Sequence, residues 1–277
     1  MLTALLLASV GACAAGRQTI SDARSSDGLA YDLAGEGPLV VLIHGTNLDR
    51  RMWDGEMAWL PEHARVLRYD LRGQGTSDDP TDPYSNHSDL LALLDELGEG
   101  GASLVGLSAG AQVALDVALE APDRVRSMIL VSPSLAGYMP EQMPPFFADL
   151  SAALQAGDYE AANEVLLASP IMAVPPEFAD TVRTMVEDNT RLWTLPYSLV
   201  EQLSPPAIER LDAIQAPTLV LTGEDDLAAI RAQGLLLEQR LPDVRLVTIP
   251  GGGHLLNMTS PDAFREAVSA FLSLPQE

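Results

Sequence analysis

Six short runs rich in Val, Leu and Ile, at residues 39–44, 65–70, 103–108, 127–132, 217–222 and 245–250, punctuate the chain, with helical periodicity in the stretches between them. Runs this short and this continuously apolar suit strands covered on both faces. Strands that alternate with helices return by crossover connections, so the order predicts an α/β protein with a mostly parallel, doubly wound sheet. Between the runs, residues 89–98 place Leu90, Leu93, Leu94 and Leu97 on one helical face. Ser260-Pro261 opens a helix that should bury Phe264, Val268, Phe271 and Leu272. At 277 residues the chain suits one large domain with an insertion better than two full domains.

The alternation stops at residues 135–207, which hold nine of the 20 prolines and seven of the 14 aromatic residues. Helical stretches near 141–156, 158–168 and 177–192, with no strand pattern, predict a helical cap inserted between two core parts, 29–134 and 208–277. The other departure is at the N-terminus. Residues 1–16 carry no charge and pair Leu2, Leu5, Leu6, Leu7 and Val10 with small residues, as in a signal peptide. The run falls short of the ~20 apolar residues that span a bilayer as a helix. Val10-Gly11-Ala12-Cys13 is similar to a bacterial lipobox, so the expectation is export, with a lipid anchor at Cys13. The alternative is a cytoplasmic enzyme with an apolar extension. Residues 17–28, polar throughout most of their length, are expected to form a linker.

Every one of the 16 basic residues is Arg, and 39 acidic residues bring the net charge to −23. Nucleic acid and anionic lipid surfaces are poor partners for such a chain. Without Lys there is neither a Walker-type phosphate site nor a Schiff base. One Cys forms no intrachain disulfide, and four scattered His with one Cys make no zinc cluster, so no structural metal is expected; the serine chemistry read below needs no metal and no organic cofactor.

The strongest chemical signal is Gly106-Leu107-Ser108-Ala109-Gly110, where a strand run gives way to a helix. A nucleophile on so sharp a turn needs neighbours without bulk, which Gly106, Ala109 and Gly110 supply. A serine hydroxyl attacks only when a base takes its proton and a third group orients that base. Two later strand runs end in such groups: Glu224, Asp225 and Asp226 follow one, and a Gly-rich loop ending in His254 follows the other. Sites in open parallel sheets lie at these C-terminal strand ends. Two backbone N–H groups are needed for an oxyanion, and Ala109 in the elbow and Thr46 in the loop after His44-Gly45 are the candidates. Simpler readings stand beside these. Ser108 fits a tight turn merely by being small, and His254 fits a structural loop histidine. His63 and His87 are expected at the surface, Asp70 and Arg72 as polar anchors of their loop, and the Met and aromatic residues of the cap partly as packing.

With these residues in place, the chain resembles capped, single-domain α/β-hydrolase fold proteins from about Tyr31 to Phe271. The resemblance rests on His44-Gly45-Thr46, Met52-Trp53-Asp54, the run from Tyr69-Asp70 through Arg72-Gly73 to Thr76-Ser77, the Ser108 elbow, Ala121-Pro122-Asp123-Arg124-Val125, residues 223–226 and Gly253-His254. Residues 44–77 and the surroundings of Ser108 are most similar to 3-oxoadipate enol-lactonase-like and esterase sequences. The resemblance implies hydrolysis of carboxylic esters or lactones through an acyl-enzyme, with Ser108 as nucleophile, His254 as base and Asp226, three residues past Gly223, as orienting acid. It also implies that His44 organises the oxyanion loop without moving a proton. The same triad supports perhydrolase chemistry, carbon–carbon bond cleavage beside a ketone or acyl transfer, and the fold also serves as a non-catalytic binding module. The cap carries ten acidic residues against Arg183 and Arg191, which favours uncharged small-to-medium substrates. The enol-lactonase resemblance points instead to a carboxylate-bearing substrate with a cationic partner.

Overall fold

The computed structural model describes residues 20–274. Its eight strands are β1 (Ile20–Arg24), β2 (Ala30–Ala34), β3 (Leu39–Ile43), β4 (Arg65–Tyr69), β5 (Ala102–Leu107), β6 (Val125–Val131), β7 (Thr218–Gly223) and β8 (Val244–Ile249). They form one sheet in the order β1-β2-β4-β3-β5-β6-β7-β8, antiparallel where β2 meets β1 and β4 and parallel from β4 to β8. The helices are α1 (Asp54–Met57), α2 (Asn86–Glu96), α3 (Ala109–Glu120), α4 (Phe146–Ala156), α5 (Tyr159–Leu167), α6 (Pro176–Asp188), α7 (Ala228–Arg240), α8 (Leu256–Thr259) and α9 (Pro261–Phe271). This is the α/β-hydrolase fold, an α/β architecture with a mostly parallel sheet and flanking helices.

Both sheet faces are covered, which explains why the strand runs read as continuously apolar. In β3, Leu39, Val41 and Ile43 join one apolar cluster with α2 and α3, while Val40 and Leu42 join the other with Trp53, Phe264 and Val268. Successive side chains of a strand point to opposite faces, so a strand covered twice has no polar positions to alternate with. The helix expected at 89–98 begins three residues earlier, and Leu90, Leu93 and Leu94 are its buried face.

Two strands went unread in the sequence. β2 was not anticipated, and β1 occupies part of the stretch expected to be linker. Neither has the Val- and Ile-rich composition of the central strands; β1 takes the sheet edge and β2 pairs between β1 and β4, so tertiary context overrides propensity. The Asp22 backbone N–H donates to Asp32 Oδ1 at 2.8 Å, and the Arg24 guanidinium reaches the Asp78 carboxylate and the Thr76 carbonyl. The signal-like residues 1–16, with Cys13, lie outside the described residues.

Between β6 and β7 the chain forms α4, α5 and α6 with short 3-10 turns. Leu166, Met172, Val182, Met185 and Val186 pack into the same cluster as Trp53 and Leu48, which seats these helices on the C-terminal end of the sheet. Polar pins add to this. Asn189 is fully buried, accepts from the Gly75 N–H at 2.6 Å and donates to Asp49 at 3.1 Å. Arg191 donates to the carbonyls of Gly73, Gly75 and Ser77 and pairs with Asp79.

Candidate active site

β5 ends at Leu107 and α3 begins at Ala109, which leaves Ser108 alone in the turn at φ 54° and ψ −112°. A non-glycine residue held there costs roughly 1–3 kcal/mol, so the surroundings must impose it. A Cβ on Gly106 would sit 2.2 Å from the Gly110 carbonyl oxygen, and one on Gly110 would sit 2.2 Å from that of Ile43. Glycine at both positions lets α3 start directly against β5 and β3. The Ser108 N–H donates to Val131 O at 2.9 Å and its carbonyl accepts from the Ser134 N–H at 3.2 Å, tying the elbow to β6 and the segment after it. Ala109 is the first residue of α3, so its N–H has no partner within the helix.

The loops after β7 and β8 are stitched together: the Glu224 N–H donates to Ile249 O at 3.0 Å and the Asp225 N–H to Gly252 O at 2.9 Å. Asp226 and His254 meet in this seam, 6% and 4% exposed. His254 Nδ1 lies 3.0 Å from Asp226 Oδ1 and 2.9 Å from Oδ2. A carboxylate only accepts, so Nδ1 is the donor in this pair, which in the neutral imidazole leaves the lone pair on Nε2. The Leu227 N–H holds Asp226 Oδ1 at 2.7 Å, and Ser132 Oγ donates to the His254 carbonyl at 2.7 Å, fixing both partners. Of the three adjacent acids, Asp226 is the one that reaches the imidazole; Glu224 instead accepts from the Gly251 N–H at 3.2 Å.

Ser108, His254 and Thr46 line one cavity of about 270 Å³, roofed by Phe147, Leu150, Leu166, Ile171, Met172 and Trp193 from the inserted helices. A second chamber of about 500 Å³ adjoins it, sharing Thr46 and Trp193, and Ala109 stands in its wall. His44 lies beneath the site and outside both linings. It is fully buried, with Nδ1 2.8 Å from Gly45 O and Nε2 accepting from the Leu71 N–H at 2.9 Å. Burial pushes its pKa down, and these two bonds define a neutral ring that braces the Thr46 loop.

Asp70 and Arg72 hold their loop as the sequence suggested, through partners it did not reveal. Asp70 accepts from the backbone N–H groups of Arg50 and Thr76, both at 2.8 Å, and from the buried Arg50 guanidinium, which also engages Asp22 and Asp32. Arg72 is clamped by Asp89 through two bonds of 2.8 Å. Arg191 is spent on the loop carbonyls described above and Arg183 pairs with Glu164 and Glu187 on the surface, so neither lines the two cavities. His63 and His87, both expected at the surface, are both half-buried; His63 stays clear of the site, while His87 stands in the wall of the second chamber, where burial lowers its pKa. The sequence reading also passed over Gln112 and Asp116. Their signal was present: with Ala109 and Val113 they recur at helical spacing on the chamber face of α3.

A serine on a strand-to-helix elbow and a buried His–Asp pair, both at the C-terminal end of a doubly wound sheet under inserted helices, define a hydrolase of the capped α/β kind. Residues 40–267 match the alpha/beta hydrolase family, and the chain belongs to it. It is 30% identical over 264 residues to a Caulobacter sp. (strain K31) protein named "Putative carbamate hydrolase RutD", covering 89% of this chain and 96% of that one. The enol-lactonase from Burkholderia xenovorans LB400 superposes with a TM-score of 0.73 at 27% identity, over 88% of this chain and 96% of its own. Est816, described as an N-acyl homoserine lactone degrading enzyme, matches with a TM-score of 0.73 at 28% identity, over 90% and 99%.

Proposed function

We propose that this hydrolase is a serine enzyme that cleaves carboxylic esters or lactones of small-to-medium size through an acyl-enzyme. The observation that carries the reading is the His254–Asp226 pair, held through Nδ1, in the wall of the cavity that Ser108 also lines. Ser108 Oγ attacks the carbonyl carbon while His254 takes its proton, and Asp226 stabilises the imidazolium that forms. The N–H groups of Thr46 and Ala109 receive the oxyanion. His254 returns the proton to the leaving alkoxide, and a water, deprotonated in turn by His254, frees the acid. No step calls for a metal or an organic cofactor.

The enol-lactonase and the lactone-degrading enzyme support a lactone or ester carbonyl; the carbamate hydrolase name adds carbamates to the set worth testing. The test is labelling by a fluorophosphonate, with turnover measured on esters, lactones and carbamates. Wild-type protein is expected to label at Ser108 and to hydrolyse esters or lactones; Ser108→Ala is expected to lose both while staying folded. Labelling that persists in Ser108→Ala moves the nucleophile elsewhere. Product analysis with peroxide or an acceptor alcohol separates hydrolysis from perhydrolysis and acyl transfer. The lipobox-like segment supports export with an anchor at Cys13 as part of the same proposal.

A further inference from the structure

The apolar cavity of about 270 Å³ at Ser108 and the chamber of about 500 Å³ beside it have two lining residues in common, Thr46 from the loop after β3 and Trp193 from the inserted segment. One rises from the core and the other comes down from the cap, so the two spaces meet in a neck between them. Thr46 carries one of the N–H groups assigned to the oxyanion, and Ala109, which carries the other, stands in the wall of the larger chamber. A carbonyl bound by both donors therefore sits in the neck, with one arm of an ester on either side of it.

The arms are not interchangeable. His254 has to reach the leaving oxygen to return the proton, and it lines the smaller cavity and not the larger. The alcohol arm thus lies against Leu150, Leu166, Ile171 and Met172, in the more confined and more apolar of the two spaces. The acyl arm runs the other way, along Ala109, Gln112 and Val113 of α3. Between them stands the Trp193 indole, and it is fixed in place. Its Nε1 donates to Asn163 Oδ1 at 2.7 Å, Asn163 Nδ2 donates to Thr190 Oγ1 at 2.6 Å, and Thr190 Oγ1 donates to the Glu187 carbonyl at 2.6 Å. Asn163 is 6% exposed and lines neither cavity. A ring tied at its edge to a buried amide holds one rotamer, so it acts as a wall.

We infer that Trp193 is a specificity-determining partition: it confines the alcohol arm to the smaller, apolar cavity and leaves the acyl arm the larger chamber, which makes the preferred substrates esters of a short apolar alcohol with a longer acyl chain. Asn163 is the positioning residue that holds the partition. This division of the arms rests on the ester-hydrolase reading, because it needs an oxyanion at Thr46 and Ala109 and a leaving oxygen at His254. A decyl chain overfills the smaller cavity once the carbonyl is seated in the neck, and the larger chamber accommodates it.

The test is an isomeric pair, ethyl decanoate and decyl ethanoate, which share composition and ester bond and differ in the side that carries the long chain. Wild type is expected to favour ethyl decanoate in kcat/KM by about tenfold or more, the scale on which a pocket discriminates by surplus methylenes. Trp193→Ala is expected to bring the ratio toward unity by raising turnover of decyl ethanoate. Asn163→Leu, which frees the indole from outside both linings, shifts the ratio in the same direction, and Asn163→Asp, which keeps an acceptor for the indole N–H, restores it. This second pair serves if Trp193→Ala does not fold. A wild-type ratio at or below one overturns the assignment of the arms, and a ratio unmoved in Trp193→Ala and Asn163→Leu overturns the partition; in both cases the hydrolase reading stands. If wild type cleaves neither ester, the division of the arms falls, and fluorophosphonate labelling at Ser108 then decides whether the serine-hydrolase reading falls with it.

Discussion

Glu56, on α1, offers a sharp test of how burial governs this molecule away from the site. Its side chain is 5% exposed among Trp53, Met52 and the residues of α8. Asn257 Nδ2 donates to its Oε2 at 3.3 Å and to Met52 O at 2.7 Å, while Asn257 Oδ1 has no partner. Burial dominates, against the Asn257 bond and the field of Arg68, and pushes the carboxyl from 4.5 up to about 7. A protonated carboxyl is also a donor, which is what an unpartnered amide oxygen beside it lacks. From pH 4.5 to about 7 the folded chain therefore holds a proton that the unfolded chain has released. The sign follows: stability falls as pH rises across that window, and the loss is complete above it. At about 1.4 kcal/mol per pH unit the full effect is about 3 kcal/mol. Glu56→Gln keeps the size and the amide-type bonding but cannot ionise. Urea unfolding of both proteins at pH 5 and pH 8.5 isolates the group, since the other acids are common to both. The variant is expected to gain about 2–3 kcal/mol relative to wild type between the two pH values. Parallel pH dependence in the two proteins, or a variant that loses ground at high pH, refutes the argument.

Asp226→Asn should leave the fold nearly intact and cut turnover by about 10⁴-fold, because an amide favours the wrong His254 tautomer; Asp225→Asn should be mild, and steady-state kinetics of the pair would expose a misassigned acid if the order reversed. Asn189→Ala strands the half-buried Gly75 N–H and removes a donor from Asp49. A loss of about 1–3 kcal/mol in chemical denaturation is expected, with faster proteolysis between β6 and β7. Export predicts a native protein that starts at or near Cys13 with added lipid mass, and mass spectrometry that finds Met1 intact in a soluble cytoplasmic fraction would refute it.

The central strands, the Ser108 elbow and the His254 loop were legible because each is written in neighbouring residues. A doubly covered strand is apolar along its own length, and a turn as tight as the one at Ser108 demands small residues within two positions of it. Asp226 was read by counting from Gly223, and the bond to His254 gives that count its geometry. What depends on distant residues meeting was not legible. β1 exists because the sheet edge accepts it, although it falls in the stretch expected to be linker, and β2 was missed because its five residues lack the Val- and Ile-rich run of the central strands. Arg183 and Arg191 looked equivalent in a net-acidic cap, yet one sits among surface acids and the other is consumed by backbone carbonyls of the loop after β4. Asp116 looked like one polar residue in a helix until the fold buried it beside Gln112, Glu120 and Arg210. By itself the sequence determined the periodicities, the turns and the order of reactive groups, because these depend on steric and hydrophobic terms that act over a few residues. Only the tertiary structure decided which charges are neutralised, which polar atoms go without partners and where cavities open, because burial and Coulomb energies are set by whatever the rest of the chain brings alongside.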